Sequence, residues 1–341
     1  MFRIFDRTAF IFSQRQQFRS FFHKKQQIYC KLRSNYCIID NMEKHEIKKG
    51  RLPIGLRIIG IILAVLAAAY GLYAGIGDPT GNADGEMQIF ALDVGQGDSF
   101  FLISPNGKTM LIDSGESSNS KQIEQFIREK GVQKLDVVVG SHTHSDHVGS
   151  MPYLLDAFDV GEYVMSEAGL ETRIQKRINA VLEEKQITRT YAWAGDSINW
   201  DDDCSVTVLS PVPEFDEYSK TDWNEWSLII RVEYADHAMI FTGDATVRSE
   251  QAAMLNNEKQ LFSADVLKVA HHGSTTSSSL GFLEAVNPEY AIISVGEGNS
   301  YGHPDYDTIQ KLKSINAAVY RTDELGTIKI VFGADGVQIT H

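Results

Sequence analysis

Residues 141–147 read Ser-His-Thr-His-Ser-Asp-His, and no other stretch of the chain limits its fold so tightly. Four side chains able to bind metal, His142, His144, Asp146 and His147, fall within six positions. The residues before them, 135–141, form an apolar run with the composition of a buried strand. His142 and His144 are two apart, so a turn leaving that strand can aim both imidazoles at one metal ion. Asp146 and His147 lie half a turn further on and can serve a second ion nearby. Imidazole suits zinc, and an added carboxylate oxygen suits a hydrolytic rather than a structural site. The competing reading is a solvated polar loop, a poor description of three histidines and an aspartate in six positions.

Further ligands are expected where other strands end. Thr242-Gly243-Asp244 follows the apolar run 237–241, so a carboxylate sits where a strand opens into a loop. Asp244 is expected to bridge the two ions. Strand-ending aspartates often only cap turns, and this motif draws its meaning from the histidine cluster. Ala270-His271-His272-Gly273-Ser274 likewise ends the strand 264–270. One of its histidines should ligate the second ion, with His271 preferred and His272 the near alternative. Gly273 lets the backbone turn closely there.

The elements around these motifs alternate. Strands are expected at 87–94, 99–104 and 109–114, with Pro105-Asn106-Gly107 as a hairpin turn. A helix over 120–131 ends on a glycine, and the strand 135–141 delivers the histidine cluster. Helices near 171–185, 246–257, 278–286 and 305–315 are interspersed with strands near 188–193, 204–210, 226–235, 237–242, 264–270, 291–295, 318–320 and 327–332. Hairpins mixed with strand–helix units predict an α/β fold of two mixed sheets flanked by helices.

The charge is unevenly distributed. Of 32 basic and 45 acidic residues, 13 basic and 4 acidic ones precede residue 78, which leaves residues 78–341 with a net charge of −22. Residues 58–76 form an uncharged apolar run of 19, just long enough for a bilayer-spanning helix. Lysines and arginines precede it and acidic residues follow, so the positive-inside rule places the N-terminus in the cytoplasm and the acidic domain outside. A signal peptide cleaved near Ala67–Ala69 is the competing reading, and it also exports the domain. The expected organisation is then a doubtful extension (1–41) with the true start at Met42, a basic cytoplasmic segment (42–57), a membrane helix (58–76), a linker (77–86) and one hydrolase domain (87–341). Cys30, Cys37 and Cys204 are too few for a disulfide framework and make no Cys-x-x-Cys pair. Cys204 is expected to be buried and inert.

Several motifs, in one order, resemble the metallo-β-lactamase superfamily over residues 87 to about 335. They are Leu92-Asp93-Val94-Gly95-Gln96-Gly97-Asp98-Ser99, Ile112-Asp113-Ser114-Gly115, the cluster His142–His147, Asn224-Glu225-Trp226-Ser227-Leu228, Phe241-Thr242-Gly243-Asp244-Ala245, His271-His272-Gly273-Ser274 and Tyr301-Gly302-His303-Pro304. The nearest branch resembles the hydrolase domain of ComEC-type DNA-uptake proteins. The resemblance implies an αββα sandwich, two divalent ions (Zn or Mn) and, in this branch, nuclease activity. There are two departures. Many superfamily members carry another histidine between the first cluster and the bridging aspartate, whereas here that interval holds only His237, which reads as a surface turn residue. Asn224–Ser227 stands in that region instead, and fewer nitrogen ligands leave manganese as open as zinc. ComEC-type proteins also carry a multi-helix channel, whereas this chain has one apolar segment, so transport by this chain alone is not expected.

The chemistry expected is attack by a metal-bridging hydroxide on phosphorus or a carbonyl. Asp146 would orient it, and Tyr301 and His303 would stabilise the oxyanion or protonate a leaving group. Asp113 would orient the histidine loop from behind. Gly95, Gln96, Gly97, Asp98 and Ser99 form one loop with backbone N–H groups beside hydroxyls, and Ser274 opens another. The second precedes a helix and could seat an anion, suggesting a phosphate-bearing substrate. A net charge of −22 is unlike a protein that grips duplex DNA. A phosphodiesterase acting on single strands or short oligonucleotides is therefore expected. The alternatives are hydrolysis of a carbonyl ester, lactone or lactam, and a non-catalytic metal-binding surface protein. No protein partner is inferable.

Overall fold

A computed structural model describes residues 85–213 and 221–341. In chain order the first half contains β1 (Met87–Ala91), β2 (Phe100–Ile103), β3 (Thr109–Ile112), α1 (Ser120–Glu129), β4 (Lys134–Gly140), α2 (Ser145–Val148), α3 (Met151–Ala157), β5 (Asp159–Met165), α4 (Arg173–Lys185) and β6 (Thr188–Tyr191). The second half contains β7 (Cys204–Ser210), β8 (Ile229–Tyr234), β9 (His237–Phe241), α5 (Val247–Asn256), β10 (Val266–Lys268), α6 (Leu280–Val286), β11 (Tyr290–Ile293), α7 (Tyr306–Ser314), β12 (Ala318–Arg321), α8 (Thr322–Leu325), β13 (Ile328–Gly333) and β14 (Gly336–Thr340). Among the described residues these strands make two mixed sheets. One has the order β14-β13-β1-β2-β3-β4-β5-β6 and the other β12-β11-β10-β9-β8-β7.

Strand periodicity explains the layering. Side chains alternate across a strand, and in β1 Met87, Ile89 and Ala91 point to one core while Phe90 points to another. β3 repeats this with Met110 and Ile112 against Leu111, and β9 with Met239 and Phe241 against Ala238 and Ile240. The shared core, joining Met87, Phe100 and Val139 of one sheet to Val206, Ile230 and Phe241 of the other, lies between the sheets. The outer face of the first sheet is covered by Ile123 and Ile127 of α1, Leu154 and Leu155 of α3, and Ile178 and Leu182 of α4. The second is covered by Ala253 of α5, Phe282 and Leu283 of α6, and Leu312 of α7. Each such buried isoleucine, leucine or phenylalanine contributes about 1.5–3 kcal/mol of transfer free energy. The layers are helix, sheet, sheet, helix, as expected.

β3 and β4 run parallel, as do β9, β10 and β11. The loops leaving the carboxyl ends of these strands therefore open on common edges, where ligands of open α/β sheets bind. The expected membrane segment, 58–76, and the extension and basic segment before it lie outside the described residues. Among the described residues no helix is long and apolar enough to cross a membrane.

Candidate metal centre

Asp113, just past β3, organises the histidine loop. Its Oδ1 accepts the Ser141 backbone N–H at 2.8 Å, and its Oδ2 accepts the Ser141 hydroxyl at 2.7 Å and His147 Nδ1 at 2.8 Å. The Ser141 hydroxyl proton is thereby engaged, so its lone pair faces His142 Nδ1 at 3.1 Å. His272 Nδ1 lies 2.8 Å from the Ser294 carbonyl, which can only accept, so that nitrogen carries the proton. In all three rings Nδ1 is held from behind, leaving Nε2 as the free donor atom, the arrangement that orients metal-binding imidazoles.

Those nitrogens converge on Asp244. Its Oδ1 lies 3.1 Å from His147 Nε2 and 3.6 Å from His272 Nε2, while its Oδ2 lies 3.7 Å from His271 Nε2 and 4.0 Å from His142 Nε2. The carboxylate thus faces two half-sites with two oxygens. His142 Nε2 is also 3.0 Å from His144 Nδ1, and His272 Nε2 is 3.4 Å from Asp146 Oδ2. Asp146, His147, Asp244 and His272 offer one ligand atom each within 4.8 Å of one another. His147 Nε2, His272 Nε2 and Asp244 Oδ1 are buried and face one another and Asp146 at 3.1 to 3.6 Å without a well-directed hydrogen bond. Buried polar atoms are normally paired, and a divalent cation would satisfy all three. The residues present fit such ions.

The electrostatics agree. Asp98, Asp113 and Asp244 are buried, with Asp146 beside them, and the ammonium among them is that of Lys268. Burial alone would lower the pKa of His147, but Asp244, Asp113, Asp98 and Asp146 together hold it well above its ordinary value. Burial likewise opposes protonation of His272, yet Asp244, Asp146 and Asp98 push it up to about 9. Burial would raise Asp244, but His147, His272 and Lys268 keep it well below the usual carboxylate range. His142 is held well below its ordinary value, first by burial and then by His147. The carboxylates around His147 and His272 make a concentration of negative charge that divalent ions on neutral imidazoles would offset.

Tight loops make this convergence possible. Asp113, His271 and His272 have φ values of 59°, 51° and 54°. Left-handed backbone costs a non-glycine residue about 1–3 kcal/mol, and here it lies at the cluster itself. Gly97 packs so closely on the metal turn that a Cβ would lie 2.2 Å from the Asp146 carbonyl oxygen.

The other anticipated residues divide into groups. Gln96, Asn224, Tyr301 and His303 line a cleft of about 330 Å³ together with His144, Asp146, Asp244, His271 and His272. Gln96 Oε1 also accepts the Gly296 N–H at 3.3 Å. Ser227 accepts the Asp244 backbone N–H through its hydroxyl at 3.1 Å, so it fixes the aspartate from behind. Gly95, Gly97 and Ser99 shape the first loop: Gly95 donates to Asp93, Gly97 accepts the Ser294 hydroxyl, and Ser99 donates to the Asp113 carbonyl. Asp98, expected behind the metal ligands or against substrate, is buried with its Oδ2 2.5 Å from Lys268 Nζ. His237 opens β9, at the opposite end of the strand from Asp244, and faces Asp265 at 3.5 Å.

The pair His271 and His272 and the loop after them are placed as follows. His272, the alternative, joins Asp146 and His147 beside Asp244 Oδ1, whereas His271 faces the other oxygen on the side of His142. The anion expected at the start of the helix after Ser274 is also displaced. That helix begins at Leu280, with Ser279 as its cap. The N–H groups of Ser278 and Ser279 donate to the buried carboxylate of Glu250 at 2.5 and 2.9 Å, and Ser274 bonds to Thr276. The group seated there is the protein's own carboxyl. Lys268 interrupts the apolar run 264–270, and that lone charge in a buried strand is its signal in the sequence. Glu250 had no comparable signal.

The profile of the metallo-beta-lactamase superfamily matches residues 92–297, and the chain belongs to this superfamily. Within it, ComE operon protein 3 of Bacillus subtilis (strain 168) is 31% identical over 268 residues, which cover 74% of this chain and 33% of that protein. Recombination protein 2 of Haemophilus influenzae is 29% identical over 304 residues, covering 88% of this chain and 34% of that protein. The chain spans about a third of the length of these curated relatives, and the ComEC-type resemblance of its motifs is borne out. Among solved structures, the metallo hydrolase Igni18 of Ignicoccus hospitalis aligns with a TM-score of 0.48 at 16% identity, over 72% of this chain and 98% of that one.

Proposed function

We propose that this chain is a binuclear metal-dependent phosphodiesterase whose substrates are single-stranded or short nucleic acids or similar phosphodiesters. The observation that carries the reading is the convergence of the buried ligand atoms of His147, His272 and Asp244, of which His272 and Asp244 line the cleft. His142, His144, His271 and Asp244 Oδ2 would hold one ion, and Asp146, His147, His272 and Asp244 Oδ1 the other. His271 would then supply the nitrogen that an additional histidine supplies in many superfamily members. Zinc and manganese both suit this set of imidazoles and carboxylates.

When bound, the two ions supply an activated water nucleophile and offset charge on the substrate oxygens. The chain's own residues do the positioning. Asp113 and Ser294 hold His147 and His272 in the tautomer that presents Nε2, and Ser227 fixes Asp244. His303 lines the cleft, and its burial keeps its pKa below the ordinary value despite Asp305 nearby. A neutral ring at pH 7 serves as a hydrogen-bond partner for a substrate oxygen rather than as an imidazolium acid. Recombination is the role printed in one relative's name, and it favours a nucleic acid over a lactam or lactone. The strongly acidic domain favours a single strand over a duplex. The apolar run 58–76 would anchor the chain by one membrane helix with the domain outside the cytoplasm.

The test is a substrate panel of single-stranded DNA, a simple phosphodiester and a lactone, each with zinc and with manganese. The reading expects phosphodiester cleavage that His144→Ala and Asp244→Ala abolish while circular dichroism stays native. Cleavage of the lactone without cleavage of either phosphodiester would overturn it.

A further inference from the structure

We infer that Tyr301, backed by His303, is a stacking platform for a nucleobase of the substrate beside the metal centre. The inference rests on the phosphodiesterase reading and deepens it by specifying a base-bearing single strand. Tyr301 lines the cleft but is 68% exposed, one of the few large rings on the described surface that is so open. A phenol that wet is badly placed to stabilise an oxyanion, because preorganised donors act best where water is excluded. Its ring instead lies nearly parallel to that of His303, with 5.9 Å between centroids and 12° between planes. The His303 ring is in turn 5.9 Å from that of His271, whose Nε2 is 3.7 Å from Asp244 Oδ2. Rings therefore run without a break from solvent to the bridging carboxylate.

The backbone beneath the two rings is pinned. Asn299 Oδ1 accepts the backbone N–H of both Tyr301 (3.2 Å) and His303 (3.1 Å), and Asn299 Nδ2 donates to the His303 carbonyl at 2.7 Å. The Asp305 N–H donates to the Gly273 carbonyl at 3.0 Å, which docks the segment on the loop that carries His271 and His272. A base stacked on the outer face of Tyr301 would place its strand at the mouth of the cleft. Stacking is independent of sequence and of net charge, which matters for a domain whose field repels phosphate at long range.

The experiment uses the full chain in detergent and fluorescence anisotropy with a labelled ten-nucleotide thymidylate strand, in metal-depleted buffer so that no cleavage intervenes. A strand of equal length with abasic tetrahydrofuran sugars is the control. Y301A should weaken binding of the thymidylate strand roughly tenfold and leave the abasic strand within twofold. Y301F, which keeps the ring and loses the hydroxyl, should bind thymidylate as the wild type does. Equal losses on both strands, no loss in Y301A, or a Y301F as weak as Y301A would each overturn the inference. Adding manganese or zinc to the wild type separates the two readings. Cleavage of the strands alongside an indifferent Y301A refutes only the platform, whereas absence of cleavage refutes the phosphodiesterase reading itself.

Discussion

Replacing Gly97 by alanine tests whether the loop before β2 is built against the metal turn. Gly97 has a φ of +128°, and a Cβ there would meet the Asp146 carbonyl oxygen at 2.2 Å and the Asp146 Cβ at 3.3 Å. The next residue, Asp98, donates its N–H to that same carbonyl at 3.1 Å. A methyl group needs more than an ångström of extra room, and backbone rather than a flexible side chain must supply it. Overpacking of this kind costs about 1–3 kcal/mol, and a side chain in so sparsely populated a backbone region about 1–3 kcal/mol more. At about 2–4 °C per kcal/mol for a domain of this size, the Tm should fall by roughly 5–20 °C. Gly95 is the internal control. Its φ is +70°, but no atom lies within 4 Å of its Cβ position, so Gly95→Ala carries only the backbone cost of about 1–2 kcal/mol. Differential scanning fluorimetry on both variants and the wild type decides the matter. If Gly97→Ala melts within 2 °C of Gly95→Ala, the close approach of the two loops does not exist as described.

Further outcomes follow from the same geometry. Asp113→Asn should lower divalent-metal affinity by about 10–100-fold in competition titrations with a chelating dye, because an amide cannot accept all the bonds that Ser141 and His147 donate to the carboxylate; unchanged affinity would remove Asp113 from its orienting role. Glu250 is pushed up to about 7 from 4.5 by burial, so the folded state holds its proton more tightly than the unfolded state does. That contribution is present below pH 4.5 and lost as pH rises through 7, a change of about 3 kcal/mol at about 1.4 kcal/mol per pH unit. The Tm gap between wild type and Glu250→Gln should therefore narrow from pH 5 to pH 8, and a constant or widening gap would contradict it. Burial, aided by Asp201 and Asp203, pushes the Cys204 thiol up to about 12. Iodoacetamide at pH 8 should leave the Cys204 peptide unmodified in the native protein and modified after denaturation, as mass spectrometry would show.

The layers of this fold were legible because strand and helix periods leave distinct traces. The apolar run before His142 became β4, and the Ile123 and Ile127 spacing became the buried face of α1. β5 leaves no such trace, because Gly161 interrupts its pattern. A Cβ there would meet the Asp136 carbonyl oxygen at 2.4 Å, so the glycine permits the pairing with β4. The order of His271 and His272 could not be read from spacing, since both take left-handed backbone conformations that turn adjacent rings towards different oxygens of Asp244. The seat of Glu250 was hidden for a different reason. Ser277-Ser278-Ser279 look like free donors for a ligand anion, and nothing local reveals that a carboxylate 28 residues earlier in the chain already occupies two of their N–H groups.

The claim on which the function depends is that the two faces of Asp244 serve two ions, and counting bound metal tests it most directly. Purified protein equilibrated with zinc or manganese and analysed by inductively coupled plasma mass spectrometry should hold two ions per chain. His272→Ala and His142→Ala should each hold one, and Asp244→Ala should hold fewer than either. A wild type that binds at most one ion, or a His272→Ala variant that keeps both, would contradict the two-metal centre.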